Sequence, residues 1–281
     1  MKRIPVIFLL AALLSLPALP AAACTLYAAA GRDDVQGGGT ILVKNRDWRP
    51  QHQEVRLVDE GGWRFYGLFA GNGTRKALKG GVNEQGLAVV SASASSIPRE
   101  ERLGAVHRAC MRTILKRYTT VEEVLQHKEL FAGAKFLMLA DRSRIAYVEI
   151  TPDNQIRVSE TAQGSLVHTN HYLDPSFQSY NKRQGTSSMV RLARIRALMA
   201  QTKRPYQMAD FIRFSEDRHA GPDNSIWRSG SKREGTQTLA VLAIRIPPAG
   251  LPEVYIKYRA NPDDQDREQV IQTFPFTSGE K

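Results

Sequence analysis

The sequence predicts an α+β fold in which antiparallel sheets are covered by layers of helices. Its strand-like runs come in pairs joined by short glycine-containing turns, which is typical of antiparallel sheets rather than of alternating strand–helix units. Two groups of amphipathic helices separate three groups of strands. No internal repeat or low-complexity linker divides the 281 residues. We therefore expect one domain over residues 24–281, preceded by a segment of a different kind over residues 1–23.

The first group of strands contains two hairpins and one further strand. The β-prone runs "CTLYAAAG" and "TILVKNRDW" are joined by a connection with three consecutive glycines, which predicts a hairpin. "EVRLVDEGGWRFYGLF" repeats this pattern with a pair of glycines at its turn. "GLAVVSASAS" follows the turn "GGVNEQG", and its small side chains would let a ligand approach the strand closely.

The rest of the chain alternates between helices and strands. "LGAVHRACMRTILKRY" is amphipathic, and "TTVEEVLQH" opens with Thr120 and Glu123 in the spacing of a capping box. The remaining predictions are three strands, a strand that runs into a polar loop, two helices, a long polar loop and two closing strands: "AKFLMLAD", "RIAYVEIT", "NQIRVSET", "GSLVHTNHYLD", "SSMVRLARIRALMA", "YQMADFIRFSED", "RHAGPDNSIWRSGSKREG", "TQTLAVLAIRIP" and "PEVYIKYRA".

The segment 1–23 has the pattern of a cleaved export signal. Residues 1–3 form a basic start, residues 6–16 form an apolar run too short to span a bilayer, and residues 21–23 are the small residues that signal peptidase requires. Cleavage would remove two basic residues and no acid, so the formal charge would fall from +11 to +9. We expect an exported protein, periplasmic or secreted, whose mature chain begins at Cys24.

Charge and motifs exclude several functional classes. The basic residues are scattered, whereas a nucleic-acid-binding protein more often has a dense basic patch with interleaved aromatics, so we expect no nucleic-acid partner. No later segment resembles a membrane span, and the oligomeric state is not predicted. His168 and His171 lack further ligands at metal-binding spacing, and nucleotide-binding and serine-hydrolase motifs are absent from the sequence. We expect neither a metal nor a cofactor.

The two cysteines have different surroundings. Cys110 shares an apolar helical face with Val106 and Ile114, which predicts a buried packing role. Cys24 could carry a lipid, pair with Cys110 or begin a mature enzyme. An α-amine has a pKa of about 8, so at the start of a mature chain it could accept the proton of its own thiol. Nucleophile and base would then come from one residue.

The motifs that follow Cys24 occur in an order that resembles a known family. Cys-Thr at the mature start, then "KNRDW", "GGVNEQGL", "HTNHYLD", "SSMVRLARI" and "DNSIW", resembles the N-terminal-nucleophile (Ntn) hydrolases of the linear amide C–N hydrolase group, which includes the choloylglycine hydrolases. Two of these motifs, around residues 168–174 and 187–195, favour the branch resembling isopenicillin N acyltransferase. The resemblance implies a four-layer αββα sandwich with two stacked antiparallel sheets.

The resemblance also implies catalytic roles for four residues. Cys24 would be the nucleophile, with its own amine as base, and Asp47 would position the thiol and the amine. Asn170 would help to form the oxyanion hole, and Arg191 would orient the region of the nucleophile.

Four further residues are expected to bind the substrate: Lys44, Trp48, Ser93 and His171. Lys44 departs from the resemblance, because bile-salt and penicillin acylases usually have arginine there. Lysine keeps the positive charge of arginine but lacks its planar guanidinium, which can donate two parallel hydrogen bonds. Arg46 could compensate, although strand alternation would point it to the face opposite Asp47.

These residues predict an exported cysteine amidohydrolase that cleaves an N-acyl amine, an N-acyl amino acid or a related acyl amide through a thioester. An acyltransferase is the first alternative, but acyl-CoA donors are cytosolic. A lipid-anchored binding protein is the second, because a lipobox also ends in cysteine, although it usually has an aliphatic residue where this chain has Ala21. Lipidation would consume both the thiol and the amine of Cys24.

Overall fold

The computed structural model describes residues 23–74, 76–104, 110–264 and 267–277. Its strands are Ala23–Ala30 (β1), Thr40–Trp48 (β2), Gln53–Val58 (β3), Phe65–Ala70 (β4), Ala77–Asn83 (β5), Ala88–Ser93 (β6), Lys135–Ala140 (β7), Ile145–Ile150 (β8), Ile156–Thr161 (β9), Gly164–His168 (β10), Gln237–Ile246 (β11), Glu253–Tyr258 (β12) and Gln269–Thr273 (β13). Its α-helices are Arg99–Gly104 (α1), Cys110–Arg117 (α2), Val121–Gln126 (α3), Thr186–Gln201 (α4), Met208–Ser215 (α5) and Gly221–Asn224 (α6), and two 3-10 helices span Lys128–Leu130 and Pro175–Tyr180.

The strands form two sheets. The first sheet has the order β10-β1-β2-β11-β12-β13, and the second runs in sequence order from β3 to β9. Every pair of neighbouring strands in both sheets is antiparallel. The antiparallel arrangement predicted from the hairpins is therefore confirmed.

Three apolar clusters separate four layers. Even-numbered residues of β1, such as Leu26 and Ala28, pack between the two sheets, while its odd-numbered residues, such as Tyr27, pack under α4 and α5. The outer face of the second sheet packs against α2 and α3. The two-residue period of the strands thus places one face of each sheet in the central core and the other beneath helices. The chain is an α+β protein with the predicted αββα sandwich.

Some predictions differ from the structure or lie beyond it. β5 and β13 are strands that the sequence pattern did not predict. The helix predicted over 103–118 corresponds to the end of α1 and to α2, and residues 105–109 lie outside the described residues. Residues 1–22 of the predicted export signal also lie outside them. Within the described ranges, the helices are too short or too polar to cross a membrane.

The β1–β2 hairpin has a register that determines the geometry of the site. Cys24 lies opposite Arg46, and Ala23 lies opposite Asp47. At the closed end of the hairpin Gly39 has φ +78°, and a Cβ there would lie 2.2 Å from the carbonyl oxygen of Ile246. Only glycine fits this turn, which holds the two strands in register. Opposite residues of a pair share a face, so the side chains of Cys24 and Arg46 both point between the sheets.

Candidate active site

Cys24 lies beside a cavity of about 310 Å³, whose other lining residues come from both sheets and from α1. Its side chain belongs to the core between the sheets, and the residue is 6% exposed. Lys44, Asp47, Trp48 and Ser93 line the same cavity. Five of the eight predicted site residues therefore surround one space.

The backbone of Cys24 is held from the other side by two further predicted residues. Its amide nitrogen donates to Oδ1 of Asn170 at 2.7 Å, and its carbonyl oxygen accepts from Arg191 at 2.6 Å. Arg191 also donates to Oγ1 of Thr25 at 2.8 Å and to Oδ1 of Asn170 at 3.0 Å. Asn170 and Arg191 thus form a polar clamp on the first residues of strand β1, behind the cavity.

Local structure explains how both clamp residues reach Cys24. β10 pairs with β1 in an antiparallel register that places His168 opposite Leu26. Asn170, two residues after His168, therefore lies beside Cys24, two residues before Leu26. Arg191 lies on the buried stripe of α4 and donates to Oγ of Ser187, one turn earlier, at 3.2 Å. Burial lowers the pKa of Arg191 to about 10, against the attraction of the Asp47 carboxylate. The guanidinium therefore keeps its charge at neutral pH.

Asn170 also connects the first sheet to the second. Its Nδ2 donates to the carbonyl oxygen of Ser93, the last residue of β6, at 2.9 Å. Its backbone nitrogen donates to Oγ of Ser188 on α4 at 3.0 Å. An amide nitrogen carries two hydrogens, so the bond to Ser93 uses half of the donor capacity of Nδ2.

Asp47 is a fully buried acid with one satisfied oxygen. Oδ1 accepts a hydrogen bond from Oγ1 of Thr238 at 2.8 Å, and Oδ2 has no hydrogen-bond partner among the described residues. Burial raises the pKa of Asp47, while the charges of Arg191, Arg228 and Arg46 act to lower it. A buried acceptor without a partner costs stability. Oδ2 of Asp47 is thus a hydrogen-bond acceptor without a partner among the described residues, and Asp47 lies opposite Ala23 at the start of β1.

Lys44 crosses the space between the sheets. Its Nζ donates to the carbonyl oxygens of Lys79 at 2.9 Å and of Ser91 at 2.5 Å, on β5 and β6. Burial lowers the pKa of Lys44 to about 8. Arg46 lines the cavity on the same face as Lys44 and donates to the side-chain oxygen of Gln53 at 2.9 Å. Two cations of β2 therefore stand beside the thiol.

The remaining two predicted residues have different positions. Trp48 ends β2 and is 37% exposed at the cavity. His171 does not belong to the cavity lining: it is buried, with Nδ1 2.8 Å from Oγ of Ser188. Burial lowers the pKa of His171 to about 4, which makes its imidazole neutral at neutral pH.

The fold brings to the site several residues that the sequence motifs did not predict. Thr238 lies next to Asp47 because β11 pairs with β2. The sequence of neither strand predicts this pairing. Lys79, Arg102 and Lys135 line the cavity from β5, α1 and β7. Only Thr25 had a local signal, since it follows Cys24 directly.

Comparisons with known proteins give a family match and structures of similar fold. The sequence model of the acyl-coenzyme A:6-aminopenicillanic acid acyl-transferase family matches residues 35–251, a range that includes Asp47, Asn170 and Arg191 and begins after Cys24. A comparison with curated protein sequences gives no significant match.

Solved structures show the same fold at low sequence identity. A variant of the conjugated bile acid hydrolase from Clostridium perfringens is 13% identical, with a TM-score of 0.58 over 88% of this chain and 92% of that one. The Caenorhabditis elegans ortholog of N-acylethanolamine-hydrolyzing acid amidase is 12% identical, with a TM-score of 0.54 over 80% of this chain and 94% of that one. Because the family match spans well over half of the sequence, the chain belongs to the acyl-coenzyme A:6-aminopenicillanic acid acyl-transferase family, within the Ntn-hydrolase group of enzymes that act on linear amides.

Proposed function

We propose that the chain is an exported cysteine amidohydrolase whose active form begins at Cys24 and cleaves linear amide C–N bonds through a thioester. One observation carries the proposal: the thiol of Cys24 lies at a cavity while the backbone atoms of the same residue are clamped by Asn170 and Arg191. A nucleophile needs this combination of an open side and a rigid support.

Cleavage after Ala23 would convert the amide nitrogen of Cys24 into an α-amine. The hydrogen bond to Oδ1 of Asn170 can persist, since an amine still donates. Oδ2 of Asp47, which lacks a partner among the described residues, supplies a nearby acceptor for a second hydrogen, because Asp47 lies opposite Ala23 in the hairpin. An ionised Asp47 would favour the protonated amine and so help it to take the thiol proton.

The reaction follows from these positions. The thiol of Cys24 passes its proton to the α-amine and attacks the carbonyl carbon, forming a C–S bond and an oxyanion. The second hydrogen of Asn170 Nδ2 and backbone N–H groups stabilise that oxyanion. The C–N bond breaks as the α-ammonium protonates the leaving amine. Water then loses a proton to the α-amine and attacks the thioester carbon; the C–S bond breaks, the carboxylic acid leaves, and the thiolate of Cys24 regains its proton from the α-ammonium.

Acyl transfer is the second candidate, and the description of the matching family favours it. Transfer would need an acyl donor and an acceptor amine in the compartment of the protein. Export after the signal at residues 1–23 separates the chain from acyl-CoA, which favours water as the acceptor. The lipid-anchored alternative would remove both reacting groups of Cys24.

The proposal is tested by the state of Cys24 and by its replacement. Intact mass and N-terminal sequencing of the exported protein are expected to show unmodified cysteine as the first residue. Cys24→Ser is expected to lose amide hydrolysis by about a thousandfold or more, with unchanged thermal unfolding, because its hydroxyl is a far weaker nucleophile at neutral pH. Cys110→Ser is the matched control, since Cys110, the first residue of α2, is buried between that helix and the second sheet and does not line the cavity.

Three outcomes would contradict the proposal. A lipid adduct on Cys24, or a residue retained before it in active protein, would exclude an N-terminal nucleophile. Full activity of Cys24→Ser would exclude the thioester. Time-resolved mass spectrometry with a slow substrate should detect the acyl group on the peptide that begins at Cys24.

A further inference from the structure

The charged residues that line the cavity beside Cys24 are mainly basic. Of its twelve lining residues among those described, five are lysine or arginine and only one, Asp47, is acidic. The carboxylate of Asp47 already faces the charges of Arg191 and Arg228 behind the cavity. The lining residues therefore include more basic than acidic side chains.

Three of these cations have no carboxylate partner among the described residues. Lys44 donates to backbone carbonyl oxygens of the facing sheet, and Arg46 donates to the neutral side chains of Gln51 and Gln53. The ammonium of Lys79 makes no hydrogen bond or ion pair with any residue that the structure describes, although it is partly buried at the cavity. Burial and the charge of Arg46 lower the pKa of Lys79 to about 8.

Two cations contributed by the second sheet and its helix form a cationic wall: Lys79 and Arg102. Lys135 also lines the cavity, but its side chain hydrogen-bonds Cys110 at the start of α2, on the outer face of the sheet. β5 and β7, which carry Lys79 and Lys135, lie on either side of β6. Between them the small residues Ser91, Ala92 and Ser93 keep the surface of β6 open to the cavity. An arrangement of ammonium and guanidinium groups around an open strand suits a planar or tetrahedral anion.

We propose that the substrate carries a carboxylate or sulfonate group that binds Lys79 in the cationic wall while Cys24 attacks its amide carbonyl. An anion there would supply the hydrogen-bond acceptors and the opposite charge that Lys79 lacks. The site would then favour N-acyl amino acids or acyl amides with an anionic acyl group over neutral N-acyl amines. This inference rests on the proposed function, because it assigns the substrate class of the same site.

Matched pairs of substrates test the inference with the mature enzyme. The first pair is an N-acylglycine and the corresponding N-acylglycinamide, which differ in the charge on the amine side. The second pair is a glutaryl amide and its neutral methyl ester, which differ in the charge on the acyl side. In at least one pair the anionic member is expected to have a kcat/KM higher by about tenfold to a hundredfold at low salt, the range for hydrogen bonds to a charged group.

The variant Lys79→Met keeps the length and apolar character of the side chain and removes its charge. It is expected to reduce the preference for the anionic member by about tenfold. Lys128→Met is the control, because Lys128 is an exposed residue of the 3-10 helix Lys128–Leu130 and does not line the cavity. It changes the net charge equally and should keep the preference of the parent enzyme.

The outcomes separate this inference from the proposed function. Equal kcat/KM within both pairs, or an unchanged preference in Lys79→Met, would overturn the anionic substrate and leave amide hydrolysis standing. If the mature enzyme cleaves no amide, the proposed function fails, and calorimetric binding to Cys24→Ala decides the inference. Tighter binding of the anionic member in either pair would support it, and equal binding within both pairs or no binding would overturn it.

Discussion

At the scale of single residues, Asn170 has two separable tasks. Its Oδ1 accepts from the backbone nitrogen of Cys24, and its Nδ2 donates to Ser93 with one hydrogen remaining. The first bond would position the proposed nucleophile, and the remaining hydrogen of Nδ2 is the one that the proposed oxyanion hole needs. Because one side chain atom serves each task, substitutions can test them independently.

Asn170→Asp keeps an acceptor for Cys24 and places a second carboxylate oxygen where Nδ2 now lies. We expect this variant to fold and to lose about 10²–10³ in kcat, because removal of an oxyanion-hole donor has that effect. Asn170→Ala should lose more, since it also releases the clamp on Cys24. Steady-state kinetics and thermal unfolding of both variants measure this difference. Near-wild-type kcat in Asn170→Asp would show that Nδ2 contributes nothing to the oxyanion hole.

Sequence motifs predicted site residues on the β1–β2 hairpin and, through the family resemblance alone, Ser93, Asn170 and Arg191 from elsewhere in the chain. Lys44, Asp47 and Trp48 lie on a strand paired directly with β1, so a local pattern is enough to bring them together. Lys79 and Lys135 come from two other strands and meet the thiol only when the second sheet packs on the first. A single sequence contains no signal for that packing.

At the scale of elements, the segment after β10 depends on a buried acid. Glu149 of β8 is fully buried, and its Oε1 lies 2.8 Å from Nε2 of His168. The same carboxylate accepts from the backbone nitrogens of Leu173 at 2.5 Å and of Asp174 at 3.0 Å. Asn170 lies between these attachment points, so Glu149 supports the segment that presents it.

Glu149→Ala is expected to destabilise the protein by about 3–5 kcal/mol, because it breaks a buried pair and leaves backbone donors without acceptors. Denaturant unfolding measures this loss. The control is Glu160→Ala, whose ion pair with Arg144 is partly exposed and should contribute about 1 kcal/mol or less. Equal stability of the two variants would contradict a supporting role for Glu149.

At the scale of elements, the sequence predicted the hairpins but not the strands β5 and β13. Glycine pairs between alternating runs indicate turns directly, as at Gly61 and Gly62, which join β3 to β4. β5 reads "ALKGGVN", and its adjacent glycines weaken the strand pattern although pairing on both sides stabilises the element. β13 pairs only with β12 at an edge and has little apolar character to indicate it.

At the scale of the whole molecule, burial of Lys44 makes stability depend on pH. Its pKa is lowered by burial from 10.5 to about 8 in the folded chain. Between those values the unfolded chain holds a proton that the folded chain has released, so stability contributed by this group rises with pH. Below pH 8 Lys44 is protonated in both the folded and the unfolded chain, so its contribution to the unfolding free energy does not change with pH.

Lys44→Met should therefore remove part of the rise in unfolding free energy between about pH 8 and pH 10.5. Urea unfolding at several pH values measures the slope for the variant and the parent, both in a Cys24→Ala background. Lys128→Met should keep the parental slope, because Lys128 is exposed. A Lys44→Met slope equal to that of the parent would contradict a lowered pKa at Lys44.

Freeing the amine of Cys24 is the step that would activate the proposed site. Two forms of the enzyme differing by one residue test it: one begins at Cys24 and the other retains Ala23. The form that begins at Cys24 is expected to hydrolyse amides, and the form with Ala23 is expected to be inactive for as long as intact mass shows the alanine in place. Equal kcat/KM of the two forms, with Ala23 still attached, would contradict the mechanism.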